Sequence, residues 1–186
     1  MTLDLEKNDL SLTPFRPSRW TLLIGPHAMA PLILNSLIRL ISSNPAGDGS
    51  LTVLDCGRQF NATIIARAAH GRAELADRIR IQRAFMCDEV ANLIRRTPLG
   101  RAPVLVLDLF NTFCDENVQI GRRRFLLEGC LRNLERLSAG PGLAVSVHPP
   151  REGSDAIPLF ERLRSAAPEV LTYETPAASA QQLRLF

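Results

Sequence analysis

The chain has 186 residues, 46% of them apolar, and a formal net charge of +3. That suits one domain with a real core, and the charge is too small to imply nucleic-acid binding by itself. Cys56, Cys87, Cys114 and Cys130 form no C-x-x-C pair and the three histidines complete no zinc pattern, so reduced, buried thiols are expected, with no metal and no cofactor.

The first residues, MTLDLEKNDL, are charged and lack the apolar core of a secretory leader. No run reaches membrane-spanning length, and the expected location is the cytoplasm. Lys7 is the only lysine, so the basic charge is almost all arginine, which reflects either genome composition or a use for planar contacts to phosphate.

Residues 1–19 are polar, contain proline and read as an N-terminal arm. A strand is predicted over Trp20–Ile24, then a helix from Pro31 to Ile41 and a loop at SSNPAGDGS. A second strand, Leu51–Asp55, precedes a helix over Ala62–Ala69 and a short one over Arg72–Asp77. Arg78–Gln82 alternates, with Ile79 and Ile81 on one side, and reads as a third strand. Asp88–Arg95 is a helix that stops before Pro98, and Val104–Leu109 a buried strand with an acid near its end. In the helix Asn117–Ser138, Ile120, Leu127, Cys130, Leu131, Leu134 and Leu137 recur at three- and four-residue steps. Gly140 and Gly142 close it. Leu143–Val147 is a strand, Ile157–Ser165 a helix and Glu169–Tyr173 the last strand; 175–186 is a flexible tail. Strands alternating with helices predict an α/β domain over 20–174, a mostly parallel sheet with helices on both faces.

The stretch Thr21–Leu32, TLLIGPHAMAPL, has the strand–turn–helix frame of a phosphate-binding loop without its chemistry. A working loop reads G-x-x-x-x-G-K-[ST]. Gly25 keeps the first glycine and is followed by Pro26 and His27. Ala30 takes the place of the second glycine, Pro31 that of the lysine and Leu32 that of the hydroxyl residue for Mg²⁺. Pro31 also removes a backbone N–H from the helix start, where phosphate is cradled.

The order of motifs resembles the core of the RecA/RadA recombinase family from Trp20 to Pro149. The resemblance rests on GPHAMAPL at the P-loop position, VLDCGRQF, RIRIQRAF, VLVLDLF at the Walker B position and LAVSV. It implies a RecA-like sheet with ligands at the carboxyl ends of the strands. It also implies where the catalysis has gone. The family's water-activating glutamate falls on Gly57, two after Asp55, while Asp108 matches the Walker B aspartate. With lysine, hydroxyl and base all absent, no ATPase activity is expected. Asp55 and Asp108 are then strand-end acids that cap loops or helix N-termini.

The same resemblance puts DNA-binding loops at Asn111–Arg124 and His148–Asp155. Arg122, Arg123 and Arg124 either meet phosphates there or spread around a solvated helix face. Phe110 and Phe113 read as core rather than as base-stacking residues. His27 and His148 read as loop histidines.

The final pentapeptide, Gln182-Leu183-Arg184-Leu185-Phe186, resembles the Q-L-x-L-F peptide by which bacterial polymerases and repair factors dock on the DNA sliding clamp. It follows the linker TPAASAQ, which can carry it away from the domain. Gln182, Leu183, Leu185 and Phe186 hold the four defining positions; the alternative is that they fold back on their own domain. Fold and tail together resemble the RecA-like accessory proteins of translesion-synthesis operons. The implied function is a non-catalytic adaptor in bacterial DNA repair, nucleoid-associated, with the clamp and a polymerase or recombinase subunit as partners, weak direct contact with DNA and no membrane. The alternatives are a cell-division inhibitor of the SulA group, which needs no clamp peptide, and a recombinase paralogue that mediates recombination.

Overall fold

The computed structural model describes residues 2–4, 18–26, 33, 50–63, 66 and 73–174. The fold is α/β. Among the described residues seven strands form one sheet: β1 (Thr2–Asp4), β2 (Trp20–Ile24), β3 (Leu51–Asp55), β4 (Ile79–Arg83), β5 (Val104–Leu107), β6 (Leu143–Val147) and β7 (Glu169–Glu174). Their order across the sheet is β1-β7-β2-β6-β5-β3-β4, and every pairing is parallel. Among the described residues the helices are α1 (Ala73–Asp77), α2 (Cys87–Arg96), α3 (Ile120–Ser138) and α4 (Ile157–Ala166), with a 3-10 turn at Asn111–Cys114.

Parallel strands must be covered on both faces, and the composition of the strands provides for that. Trp20, Leu22, Val106, Val145 and Val147 point to one face, where they pack with Val90 and Ile94 of α2, Leu127 and Leu134 of α3, and Leu159 and Leu163 of α4. Their neighbours Leu23, Val53, Leu105 and Leu107 point the other way and are equally buried, as is the helical residue Ile33. The rest of the helix expected from Pro31 to Ile41 lies outside the described residues. So does most of the one expected over Ala62–Ala69, of which Ala62, Thr63 and Ala66 are helical.

Helices α2 and α3 run parallel. Arg122 at the start of α3 pairs with Asp88 at the start of α2. At the other end Arg136 donates to the carbonyls of Ile94, Arg95 and Thr97 at 3.2, 3.2 and 3.0 Å, which satisfies carbonyls that a helix leaves without partners.

Four local departures from the sequence reading have physical causes. The strand expected to Leu109 ends at Leu107, because Asp108 takes a left-handed φ of 51° and turns the chain into the 3-10 segment. Helix α3 starts at Ile120 rather than Asn117, because Asp115 Oδ1 accepts both the backbone and side-chain N–H of Asn117 at 3.0 and 2.9 Å, a local bond that competes with helix. Ile79 is buried but Ile81 is 41% exposed, since β4 is the outermost strand of the sheet. Thr2–Asp4, within the segment read as an arm, pairs with Thr172–Glu174 of β7.

Candidate functional site

In a parallel α/β sheet, ligands collect at the carboxyl ends of strands, above all where neighbouring strands send the chain in opposite directions. From β2 the chain goes to β3 and from β6 to β7, opposite ways along the sheet, and β2 and β6 are neighbours. Gly25 follows β2, Asp55 ends β3, Asp108 follows β5 and His148 follows β6. The sheet therefore brings together the two acids, Gly25 and His148.

Asp55 and Asp108 are 1% and 3% exposed. Charge buried to that degree requires donors. Asp55 accepts the backbone N–H groups of Gln59 at 2.8 Å and Phe60 at 3.3 Å, and Nε of Arg83 at 3.2 Å. Arg83 also donates to the Phe60 carbonyl at 3.3 Å, so Asp55 caps the loop after β3 and fastens it to β4. Asp108 accepts the His148 backbone N–H at 3.3 Å and Nε2 of Gln59 at 3.5 Å, while its own N–H donates to Ser146 Oγ at 3.0 Å. The imidazole Nδ1 of His148 lies 3.3 Å from the Gly25 carbonyl oxygen. Asp108 thus joins the ends of β3, β5 and β6, and His148 continues the connection to β2.

Gly57 stands where the resemblance puts the catalytic glutamate. A Cβ built there would overlap the Asp108 carboxylate. The crevice between β3 and β5 holds the Asp108 side chain against bare backbone, and a longer residue at 57 has no room. Arg58 beside it also has a left-handed φ, 58°. Such backbone is uncommon outside glycine and tolerated best by Asn and Asp. Gly25 is buried and Pro26 half-buried. His27, Ala30, Pro31 and Leu32 lie outside the described residues, as do Gln182, Leu183, Leu185 and Phe186 of the tail.

The three-arginine run splits, because a helix turns about 100° per residue. Arg122 bonds Asp88, and its guanidinium carbon lies 5.9 Å from the Phe125 ring centroid. Arg124 is exposed. Arg123 is 1% exposed and donates inward, to the carbonyls of Val118 at 2.8 Å and Phe113 at 3.1 Å and to both oxygens of Asp155, Oδ1 at 3.0 Å. The expected phosphate-facing cluster is corrected at this residue: its donors are spent within the fold. The bond from Arg123 holds the Asp155 carboxyl below its usual range, and the same bond raises the guanidinium. Phe110 and Phe113 are fully buried, and Phe110 meets Phe160 edge-on at 5.4 Å between ring centroids.

Burial pushes the Cys114 thiol up to about 11 and that of Cys130 up to about 12, and raises Cys56 and Cys87 as well. Thiols so protonated at neutral pH are poor nucleophiles and poor ligands. Among the described residues no three His, Cys, Asp or Glu side chains gather to hold a metal, and no helix is long and apolar enough to cross a membrane.

Sequence reasoning located the acids and their loop-capping role, but not their long-range partners. The links from Asp108 to His148 and from Arg123 to Asp155 span 40 and 32 residues, and no local pattern announces them. The chain matches no protein-family model and no curated protein.

Proposed function

We propose that this chain is a non-catalytic, RecA-like accessory protein of bacterial DNA repair, with translesion synthesis as its setting. In this reading Gln182–Phe186 docks on the DNA sliding clamp, and the globular part holds a polymerase or recombinase subunit. The observation that carries it is the pentapeptide QLRLF, with all four defining positions filled, behind a linker of small and polar residues. An extended peptide of this kind seats Leu185 and Phe186 in an apolar pocket while the Gln182 amide sets the register. Tethering raises the local concentration of whatever the domain carries, with no chemistry of its own. The protein then works in the cytoplasm, at the nucleoid.

The absence of ATP turnover belongs to the same proposal. Its support is the substitution of Ala30, Pro31 and Leu32 for the phosphate-binding residues, together with the use of Asp55 and Asp108 as internal hydrogen-bond acceptors. Phosphoryl transfer relies almost wholly on placed charges, and here the remaining ones are committed elsewhere.

The test is a titration of purified sliding clamp with the intact chain and with one lacking Gln182–Phe186. The intact chain should bind at about micromolar Kd, roughly −8 kcal/mol, and the truncated chain should not. Equal signals from the two would remove the clamp from the account. Calorimetry with Mg²⁺ and ATP should show no uptake; tight, metal-dependent binding would restore a nucleotide function.

A further inference from the structure

The two loops that the resemblance marks for DNA do meet, and what they enclose is a cleft. It lies beyond the carboxyl ends of β5 and β6, between Asn111–Glu116 on one side and His148–Ser154 on the other, with a volume of about 700 Å³. That is the size of sites that take a short peptide or a drug-sized molecule.

A gap between surface loops is ordinarily incidental. This one is braced. Arg123, wholly buried beneath it, donates to the carbonyls of Phe113 and Val118, which belong to the first loop, and to the carboxylate of Asp155, which closes the second. His148, at the root of the second loop, is fixed by Asp108 and faces Gly25. The walls are held in place before any ligand arrives, so little ordering cost falls on binding.

The lining decides the ligand. Asp115, Glu116 and Glu152 present three carboxylates against one guanidinium, Arg151, on a chain whose net charge is positive. All three acids are exposed. Pro149 and Pro150 add an apolar wall with no backbone donors. Carboxylates arrayed in this way repel a phosphate backbone, and Arg123, the arginine of the triplet that bonds both loops, is turned inward. The cleft is therefore built against nucleic acid and for cations.

We propose that this cleft binds a basic, arginine- or lysine-bearing extended segment of a protein partner. Cationic heads meet Asp115, Glu116 and Glu152, and their aliphatic stems lie along Pro149 and Pro150. This deepens the adaptor reading and rests on it only for the existence of a protein partner. None of the cleft residues belongs to the pentapeptide Gln182–Phe186.

The probe is a fluorescein-labelled peptide of alternating arginine and alanine, titrated by fluorescence anisotropy against the full chain. Binding should saturate, weaken with added salt and fall by about tenfold in the D115N/E116Q/E152Q triple variant. Glu135→Gln, at the far end of α3, should leave it unchanged, and thermal melts of both variants should match the parent. An oligo-dT strand should neither bind the cleft nor compete. The proposal fails if the peptide does not bind, if the triple variant binds as the parent does, or if oligo-dT displaces the peptide. Clamp binding is read separately, on the chain lacking Gln182–Phe186, so either idea can fall alone.

Discussion

Two sets of acids sit at the same end of the same sheet and do opposite things. Asp55 and Asp108 are sealed from solvent and bound to backbone N–H groups, Asp55 also to Arg83 and Asp108 to the Gln59 side chain of the loop that Asp55 caps. Asp115, Glu116 and Glu152, a few residues further along their loops, stand in water around an open cleft. A carboxylate at a strand end is thus no sign of chemistry on its own. What separates architecture from recognition is whether its oxygens are sealed in the fold or left open to solvent, as they are even at Asp115, where Asn117 takes Oδ1 alone.

The sharpest way to break this contrast is Arg123→Ala. It orphans the Phe113 and Val118 carbonyls and opens a void, and should cost about 4 kcal/mol in urea unfolding. A loss under about 1 kcal/mol would mean the two loops are not braced from beneath. Asp55→Ala comes next, at about 3 kcal/mol, because Gln59 and Phe60 lose their acceptor and Arg83 its partner. Gly57→Ala should cost about 2 kcal/mol by driving a methyl into the Asp108 carboxylate. Much of that loss should vanish in an Asp108→Gly background; additive losses would show that the two residues do not collide.

A smaller effect concerns pH. The folded carboxyl of Asp155 titrates below its unfolded value because Arg123 bonds it. Its contribution to stability is present above the unfolded value, about 3.9, and is lost as pH falls through the lowered folded value. Asp155→Asn should therefore flatten the acid limb of a stability–pH curve, and an unchanged limb would deny the linkage. The smallest effect marks the other side of the comparison: Glu116→Gln and Glu152→Gln should each shift stability by no more than about 0.5 kcal/mol. A large loss from either would place these acids in the architecture after all.

Much of the sheet was legible in the sequence because burial on both faces leaves a simple trace. LTVLD, VLVL and LAVSV are apolar runs of strand length, and each is a strand. The 3.6-residue period of α3 was equally plain. Boundaries failed where one side chain overrides the pattern: Asp108 bends β5 off early and Asp115 delays α3. Ile81 looked like half of a buried pair because its exposure depends on strand order, which pairing decides and sequence spacing does not. Arg122–Arg124 looked like a surface patch because composition records charge and not direction. The partner that turns Arg123 inward, Asp155, is brought near only by the return of the chain through β6.

The place of β2 sets a condition on synthesis. Its neighbours are β6 and β7, and the hydrogen bond from Thr21 to Glu169 closes a span of 148 residues. While the ribosome is still at work, this apolar strand has emerged and neither flank yet exists. Long-range parallel pairing of this kind is slow and leaves sticky edges exposed meanwhile. Cells making the protein therefore have reason to shield Trp20–Ile24 until the final strand arrives, and nascent-chain aggregation should begin there.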